Sequence, residues 1–160
     1  MNSRISIDFE VFDTASIPEE WSVLVNRAKK ASEGSYSPYS HFSVGAAVMT
    51  SGGHVEVGSN QENAAYPSGL CAERTVIFHT NAVYPDEAIL KLAVVAQSGG
   101  HFTSSPLPPC GGCRQVLLET EKRFSHPISI LMFGTEKCIV VKSAKNLLPF
   151  SFDSESLKGV

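Results

Sequence analysis

Three cysteines in two short runs limit the fold of this chain more than any other feature: Cys71-Ala72-Glu73-Arg74, and further on Pro109-Cys110-Gly111-Gly112-Cys113-Arg114-Gln115. For their thiols to act together, the chain must bring both runs to one point. Three thiolates fill three corners of a tetrahedral Zn2+ and leave the fourth for water, the ligand count of a catalytic site; a closed structural site takes a fourth protein ligand. Glu73, two residues past the first thiol, stands where a proton carrier is needed. A zinc ribbon would want a second C-x-x-C, and a redox pair would need neither Cys71 nor Glu73. The histidines, at 41, 54, 79, 101 and 126, lack the spacing of a helical metal pair and read as surface or hydrogen-bonding residues. Cys138, within Lys137-Cys138-Ile139-Val140-Val141, reads as a buried strand cysteine.

Periodicity places these runs on elements. A first helix fits 17–32, with Trp21, Leu24, Val25 and Ala28 as its apolar stripe, Ser16 and Glu19 spaced as a capping box, and Pro18 tolerated in the first turn. Strands at 42–50 and 55–58 flank the turn Ser51-Gly52-Gly53-His54 and read as a hairpin. A helix over 70–82, a strand at 90–97, a helix over 110–124 and strands at 128–133 and 138–142 complete the order. A hairpin followed by strands alternating with helices predicts one mixed sheet with helices on its faces, an α/β fold. Cys71 and Cys110 then sit at helix starts, where backbone N–H groups and the positive dipole end favour thiolates. Three thiolates on one Zn2+ still leave an excess negative charge, which opposes ionisation of a bound water. Arg74, three residues after Cys71, can reach back over the first helical turn to offset it.

Composition agrees with this reading. A chain of 160 residues, 42% of them apolar, is expected to form one globular domain over 1–160. With 13 basic against 16 acidic side chains the net charge is -3, and no Lys/Arg run offers a phosphate-binding stripe, so a nucleic acid partner is disfavoured. The start of the chain lacks a secretory pattern, and no apolar stretch reaches membrane-spanning length, so the expected location is cytoplasmic, with no membrane partner. In residues 1–15, Ile5-Ser6-Ile7-Asp8-Phe9-Glu10-Val11 alternates like a strand and suggests an added edge strand or an arm packed on a neighbour.

Further runs accompany the cysteines: Ser37-Pro38-Tyr39-Ser40-His41-Phe42-Ser43-Val44-Gly45-Ala46-Ala47, then Asn60-Gln61-Glu62-Asn63-Ala64-Ala65-Tyr66-Pro67, and Leu147-Leu148-Pro149. Together with C-x-E and P-C-x-x-C, which pair in zinc-dependent nucleobase deaminases, they make residues 18 to 153 resemble the small cytidine deaminases of pyrimidine salvage. The resemblance implies a three-layer α/β/α sandwich on a five-stranded mixed sheet. It implies one Zn2+ per subunit on Cys71, Cys110 and Cys113, with Arg74 and Gln115 supporting the ligands. Glu73 would take a proton from the zinc-activated water, which attacks C4 of the pyrimidine, and pass protons to N3 and the amino group.

Phe42 would pack against the base, Ala72 would contact the substrate, and Asn60 and Glu62 would hydrogen-bond the ribose hydroxyls. Phe152, or Phe150 two positions before it, would be supplied by an adjacent subunit, so that a homotetramer completes its own active sites. The implied reaction is hydrolytic deamination of cytidine and 2′-deoxycytidine, the partner a small nucleoside. A deaminase of a cytosine nucleoside antibiotic such as blasticidin S shares the metal core, but Glu62 argues against it. A polynucleotide cytosine editor lacks support from any basic stripe, and a non-catalytic zinc-stabilised binding protein would have no use for Glu73. The chain departs from the family's usual pattern in its second proline, Pro108, before the cysteine pair. The segment Ser98-Gly99-Gly100-His101-Phe102-Thr103-Ser104-Ser105 reads as a loop that shapes the pocket rim.

Overall fold

The two longest apolar runs of the chain pair with each other at the centre of a mixed sheet, and the helices bury that sheet from both sides. The computed structural model describes residues 2–158. Its strands are β1 (Glu10–Asp13), β2 (Phe42–Thr50), β3 (Val55–Ser59), β4 (Ile89–Ser98), β5 (His101–Phe102), β6 (Ser129–Met132) and β7 (Lys137–Val141). Its helices are α1 (Glu19–Ser32), α2 (Ala72–Val83), α3 (Gly111–Phe124) and the short α4 (Ser154–Leu157). The strand order is β1-β7-β6-β4-β2-β3, with β5 paired to β4. Among the described strands only β4 and β6 run parallel, joined through α3, because a parallel pair needs a long crossover where a hairpin suffices for an antiparallel one.

Alternate residues of the central strands face opposite layers. On one side Trp21, Leu24, Val25 and Ala28 of α1 pack on Ala47, Ala93, Val95, Leu131 and Val140. On the other, Val76 and Ile77 of α2 and Leu117 of α3 pack on Ala46, Val48, Leu92, Val94, Ile130 and Met132. The stripe expected for the first helix is the buried one, and the layers are α/β/α as expected. Two glycines allow the close approach. A Cβ at Gly45 would overlap the carbonyl oxygen of Ala28, and one at Gly58 would lie 2.7 Å from the Val76 amide nitrogen, holding α2 off β3.

The sheet has seven strands where five were expected. The five are β2, β3, β4, β6 and β7. The first addition, β1, covers the outer edge of β7 in antiparallel register from Glu10↔Val140 to Asp13↔Lys137. Strand structure does not reach back to Ile5, because β7 ends at Val141, opposite Phe9, and residues before Phe9 have no strand left to pair with. The second, β5, arises because Gly99 (φ 58°) and Gly100 (φ 81°) form a tight turn that folds His101 and Phe102 back on Ser98 and Gln97. The expected capping box is also replaced. Ser16 lies in a 3-10 turn, Thr14–Ser16, capped by Asp13, and Pro18 precedes α1 without a side-chain cap. Cys138 is buried in β7 as expected.

One buried carboxylate ties the far end of α3 to the sheet. Glu121 Oε1 accepts the backbone N–H groups of Ile128 and Ala144, each at 2.7 Å, and Oε2 accepts the Ser143 hydroxyl at 2.9 Å. Glu121→Ala removes the acceptor of two buried amides, each of which costs about 1–3 kcal/mol when unpaired. Thermal denaturation should show a loss of roughly 3 kcal/mol, or about 6–12 °C in Tm for a chain of this size. Glu121→Gln, which keeps one carbonyl oxygen, should lose less.

Candidate active site

The two cysteine runs meet because α2 and α3 lie side by side on the same sheet face and begin at the same place. Cys71 immediately precedes α2 and Cys110 immediately precedes α3, both with extended backbone, while Cys113 lies in the first turn of α3. Both helix amino termini therefore point at the thiols and favour negative charge there. The sulfur of Cys71 lies 3.8 Å from that of Cys110, and Cys110 lies 3.5 Å from Cys113. All three sulfurs fall within 4.8 Å of one another. Zn–S bonds of about 2.3 Å in a tetrahedron put sulfurs about 3.8 Å apart, so the donor set fits zinc. Cys113 is buried and Cys110 exposed, which leaves one side of the cluster open.

The thiols are far from ordinary. The neighbouring Cys113 thiol is the main cause that lowers the Cys71 pKa to about 5, with Arg74 adding to it. Cys71 beside it and burial push the Cys113 thiol up. Arg74 Nη2 lies 3.9 Å from the Cys71 sulfur and 3.4 Å from the Gly69 carbonyl oxygen, reaching back over the first turn as its spacing predicted.

A cleft of about 540 Å³ opens over the cluster, within the range of small-molecule sites. Cys71, Glu73, Arg74 and Cys110 form part of its lining, and Phe42, Asn60 and Glu62 another part. Glu73 is only 4% exposed. Burial raises its pKa, and the neighbouring Cys71 charge adds to the shift; a divalent cation on the thiolates pulls the other way.

Asn60 is buried, and most of its amide is already engaged. Its Oδ1 accepts the Val44 N–H at 2.7 Å and the Ser35 hydroxyl at 2.6 Å, and its Nδ2 donates to the Phe42 carbonyl at 2.9 Å. One amide hydrogen remains for a ligand. Glu62 is held from one side: Oε2 accepts the Tyr39 N–H at 2.9 Å and the Ser40 N–H at 3.3 Å, and Oε1 has no backbone partner. The Ser40 hydroxyl and the Tyr39 N–H hold its carboxyl below the usual range.

The remaining expected residues fall elsewhere. Ala72 is fully buried as the first residue of α2 and does not line the cleft. Gln115, expected beside the ligands, donates instead to the Phe152 carbonyl oxygen at 2.8 Å and anchors the carboxy-terminal segment to α3. Phe152 and Phe150 are absent from the cleft of their own chain and stand 62% and 91% exposed.

Sequence reasoning missed other parts. Leu70, Leu107 and Pro108 line the cleft, as does Tyr66, which lay inside the Asn60–Pro67 run without being singled out. The loop over 98–105 turns away as β5, and it is the residues after it that reach the site. Arg114, also missed, donates to the carbonyls of Pro109 (2.8 Å) and Leu147 (2.9 Å), fixing the segment that leads into Cys110.

Thiolates that leave one side of a metal open, with a carboxyl group buried in the same cleft, set a broad class: metalloenzymes that activate water. Residues 18–125 match the cytidine and deoxycytidylate deaminase zinc-binding region, and the chain belongs to that family. It is 42% identical over 141 residues to a cytidine deaminase of Mycobacterium tuberculosis, covering 86% of this chain and 93% of that one. It is 44% identical over 97 residues to a cytidine deaminase of Halalkalibacterium halodurans, covering 61% and 69%. Among solved structures, a cytidine deaminase from Burkholderia pseudomallei is similar over 81% of this chain and 97% of that one, with a TM-score of 0.68 at 37% identity.

Arg74→Ala tests the charge balance at the cluster. Removing a group that orients or neutralises ligands costs about ten- to a hundredfold in metal affinity. The variant should keep its melting behaviour in excess zinc yet surrender zinc to a competing chelator at correspondingly lower concentration.

Proposed function

We propose that the protein hydrolytically deaminates cytidine and 2′-deoxycytidine to uridine and 2′-deoxyuridine, releasing ammonia. The observation that carries this reading is the shared cleft, where buried Glu73 lies among the thiol ligands while Glu62 and Asn60 keep polar atoms for a ligand. Zinc held by Cys71, Cys110 and Cys113 supplies a Lewis acid that lets water ionise near neutral pH. Glu73 accepts the proton that water loses as its oxygen bonds to C4, and delivers a proton to N3. A second transfer through Glu73 moves the C4 hydroxyl proton to the amino group, the C4–N bond breaks as the C4 carbonyl forms, and ammonia leaves. A carboxyl group whose pKa is raised by burial, and would be lowered by a cation on the thiolates, is suited to both directions of transfer.

Phe42 packs against the pyrimidine, while Ala72, buried behind the cleft, supports the start of α2. Glu62, clamped through Oε2, offers its other oxygen to a ribose hydroxyl, and Asn60 offers its remaining N–H. Arg74 offsets the thiolate charge. Gln115 acts indirectly, through the segment carrying Phe152. The exposure of Phe152 and Phe150 supports their insertion into a neighbouring site, and hence a homotetramer. The whole chain acts as one deaminase unit, residues 1–15 being an extension. A salvage role in the cytoplasm fits four free cysteines and a nucleoside substrate. Among the described residues no helix is long and apolar enough to cross a membrane.

Ammonia release by the zinc-loaded protein, offered cytidine, free cytosine and blasticidin S in parallel, is the first test. Cytidine should turn over, and free cytosine should be poorer by roughly four orders of magnitude, because the polar groups meant for the ribose stay unpaired. Comparable rates on free cytosine would remove the ribose role of Asn60 and Glu62. Glu73→Gln should retain stoichiometric zinc and lose about 10²- to 10⁴-fold in kcat; ordinary turnover by that variant would overturn the assignment of the proton carrier.

A further inference from the structure

The backbone of His41 lies in the left-handed region, at φ 53°, one residue before Phe42. Among the described residues Ser125, which ends α3, is the only other non-glycine with positive φ. L-residues are disfavoured there, β-branched ones most strongly, and such a conformation persists only where its surroundings over-determine it. Here they do. The His41 N–H donates to the Ser37 carbonyl at 3.1 Å, closing a tight turn. Ser98 Oγ at the end of β4 donates to the His41 carbonyl at 3.4 Å. The Phe42 N–H donates to Ser40 Oγ at 3.1 Å, and Asn60 Nδ2 fixes the Phe42 carbonyl at 2.9 Å.

The turn that His41 ends carries the two amides that hold Glu62, those of Tyr39 and Ser40. Its other end is tied to the same segment, with Tyr36 N–H donating to the Asn60 carbonyl at 3.0 Å and Glu62 N–H to the Tyr36 carbonyl at 2.8 Å. The strained residue is thus the one that lets the chain turn from clamping Glu62 to laying Phe42 into β2. The side of the turn that matters is backbone, and the residue as a whole is exposed.

We infer that His41 is a positioning residue whose left-handed backbone, rather than its imidazole, aims the Tyr39 and Ser40 amides at Glu62 and so sets how the substrate's ribose is gripped. The inference rests on the ribose-reading role of Glu62 proposed above. It assigns His41 no contact with the reacting atoms.

The series His41→Gly, His41→Asn, His41→Ala and His41→Val separates backbone from side chain. Glycine and asparagine accept positive φ, so their KM for cytidine should stay within about twofold of wild type. Valine should raise KM about tenfold, the worth of one hydrogen bond to a charged group, with kcat within about threefold and zinc content unchanged. Alanine should fall between, and carries the same ordering if the valine variant fails to fold. On a cytidine analogue lacking both the 2′ and 3′ hydroxyls, the valine and alanine variants should match wild type.

A KM raised equally by glycine and valine would make the imidazole the active part and overturn the inference, as would a series with no change. Amide hydrogen exchange reads the clamp without any turnover: Tyr39 and Ser40 should exchange about tenfold faster in His41→Val than in His41→Gly. Equal exchange would sink the positioning role even in an active enzyme. The expected exchange in a protein inactive on cytidine would uphold the clamp and overturn only the reading of Glu62.

Discussion

Two helix amino termini aimed at one spot set the terms for the rest of this molecule. Thiols that would stay protonated in an apolar interior are drawn toward the charged form by unpaired N–H groups at the starts of α2 and α3. That arrangement requires both helices to lie on the same face of the sheet with their starts level. The connections supply it: α2 leads from β3 into β4, and α3 from β4 into its parallel neighbour β6. Gly58 lets α2 settle against β3, because any side chain there would meet the helix backbone at Val76. The metal cluster therefore depends on packing a full helix turn away from the sulfurs.

Across the cleft the organising force is polar satisfaction. The segment around residues 60–62 belongs to no strand, yet its groups are paired through bridges between Tyr36 and Gln61 and between Gln61 and Leu70. Asn60 serves the protein first, by pinning the start of β2 through three hydrogen bonds, and has little capacity left for anything else. Glu62 has the opposite balance, one oxygen fixed and one without a backbone partner. Two residues that look equivalent in sequence thus differ in structure: one holds the wall, and the other presents a group from it. Buried polar residues of the first kind cost several kcal/mol when truncated whether or not a ligand is present.

Much of this was legible in the sequence wherever chemistry depends on residue type and short spacing. The C-x-E and C-x-x-C runs placed the sulfurs, and helix periodicity placed them at helix starts, both of which hold. The apolar stripe of α1 and the five central strands follow from burial on two faces, which leaves a strong pattern. What escaped depends on distant partners. Alternation near Glu10 shows an added edge strand, but that it starts only at Glu10 and pairs with β7 depends on residues 137–140, which nothing near Glu10 encodes. Ser16 and Glu19 have the right spacing for a cap, yet Asp13 captures the preceding turn and Pro18 takes the boundary position. Gln115 sits two residues from a ligand but rotates toward the carboxy-terminal segment. Leu107 and Pro108 reach the cleft through the path of a loop, which residue types alone do not trace.

The pairing of β1 with β7 joins the beginning of the chain to a strand more than a hundred residues later. During synthesis at about 5–20 residues per second, the partner of Phe12, Cys138, emerges roughly 6–25 s after Phe12 itself. For that interval the nascent segment carries Phe12 without the strand and the apolar layer that will receive it. Once β7 exists, β1 closes its open edge, with Phe12 packed against the α1 layer and Glu10 paired to Lys142 at 2.9 Å. A strand made early thus waits for one made late, and what the wait protects is the edge of β7, since Ile5, Ile7, Phe9 and Val11 stay exposed on the finished molecule.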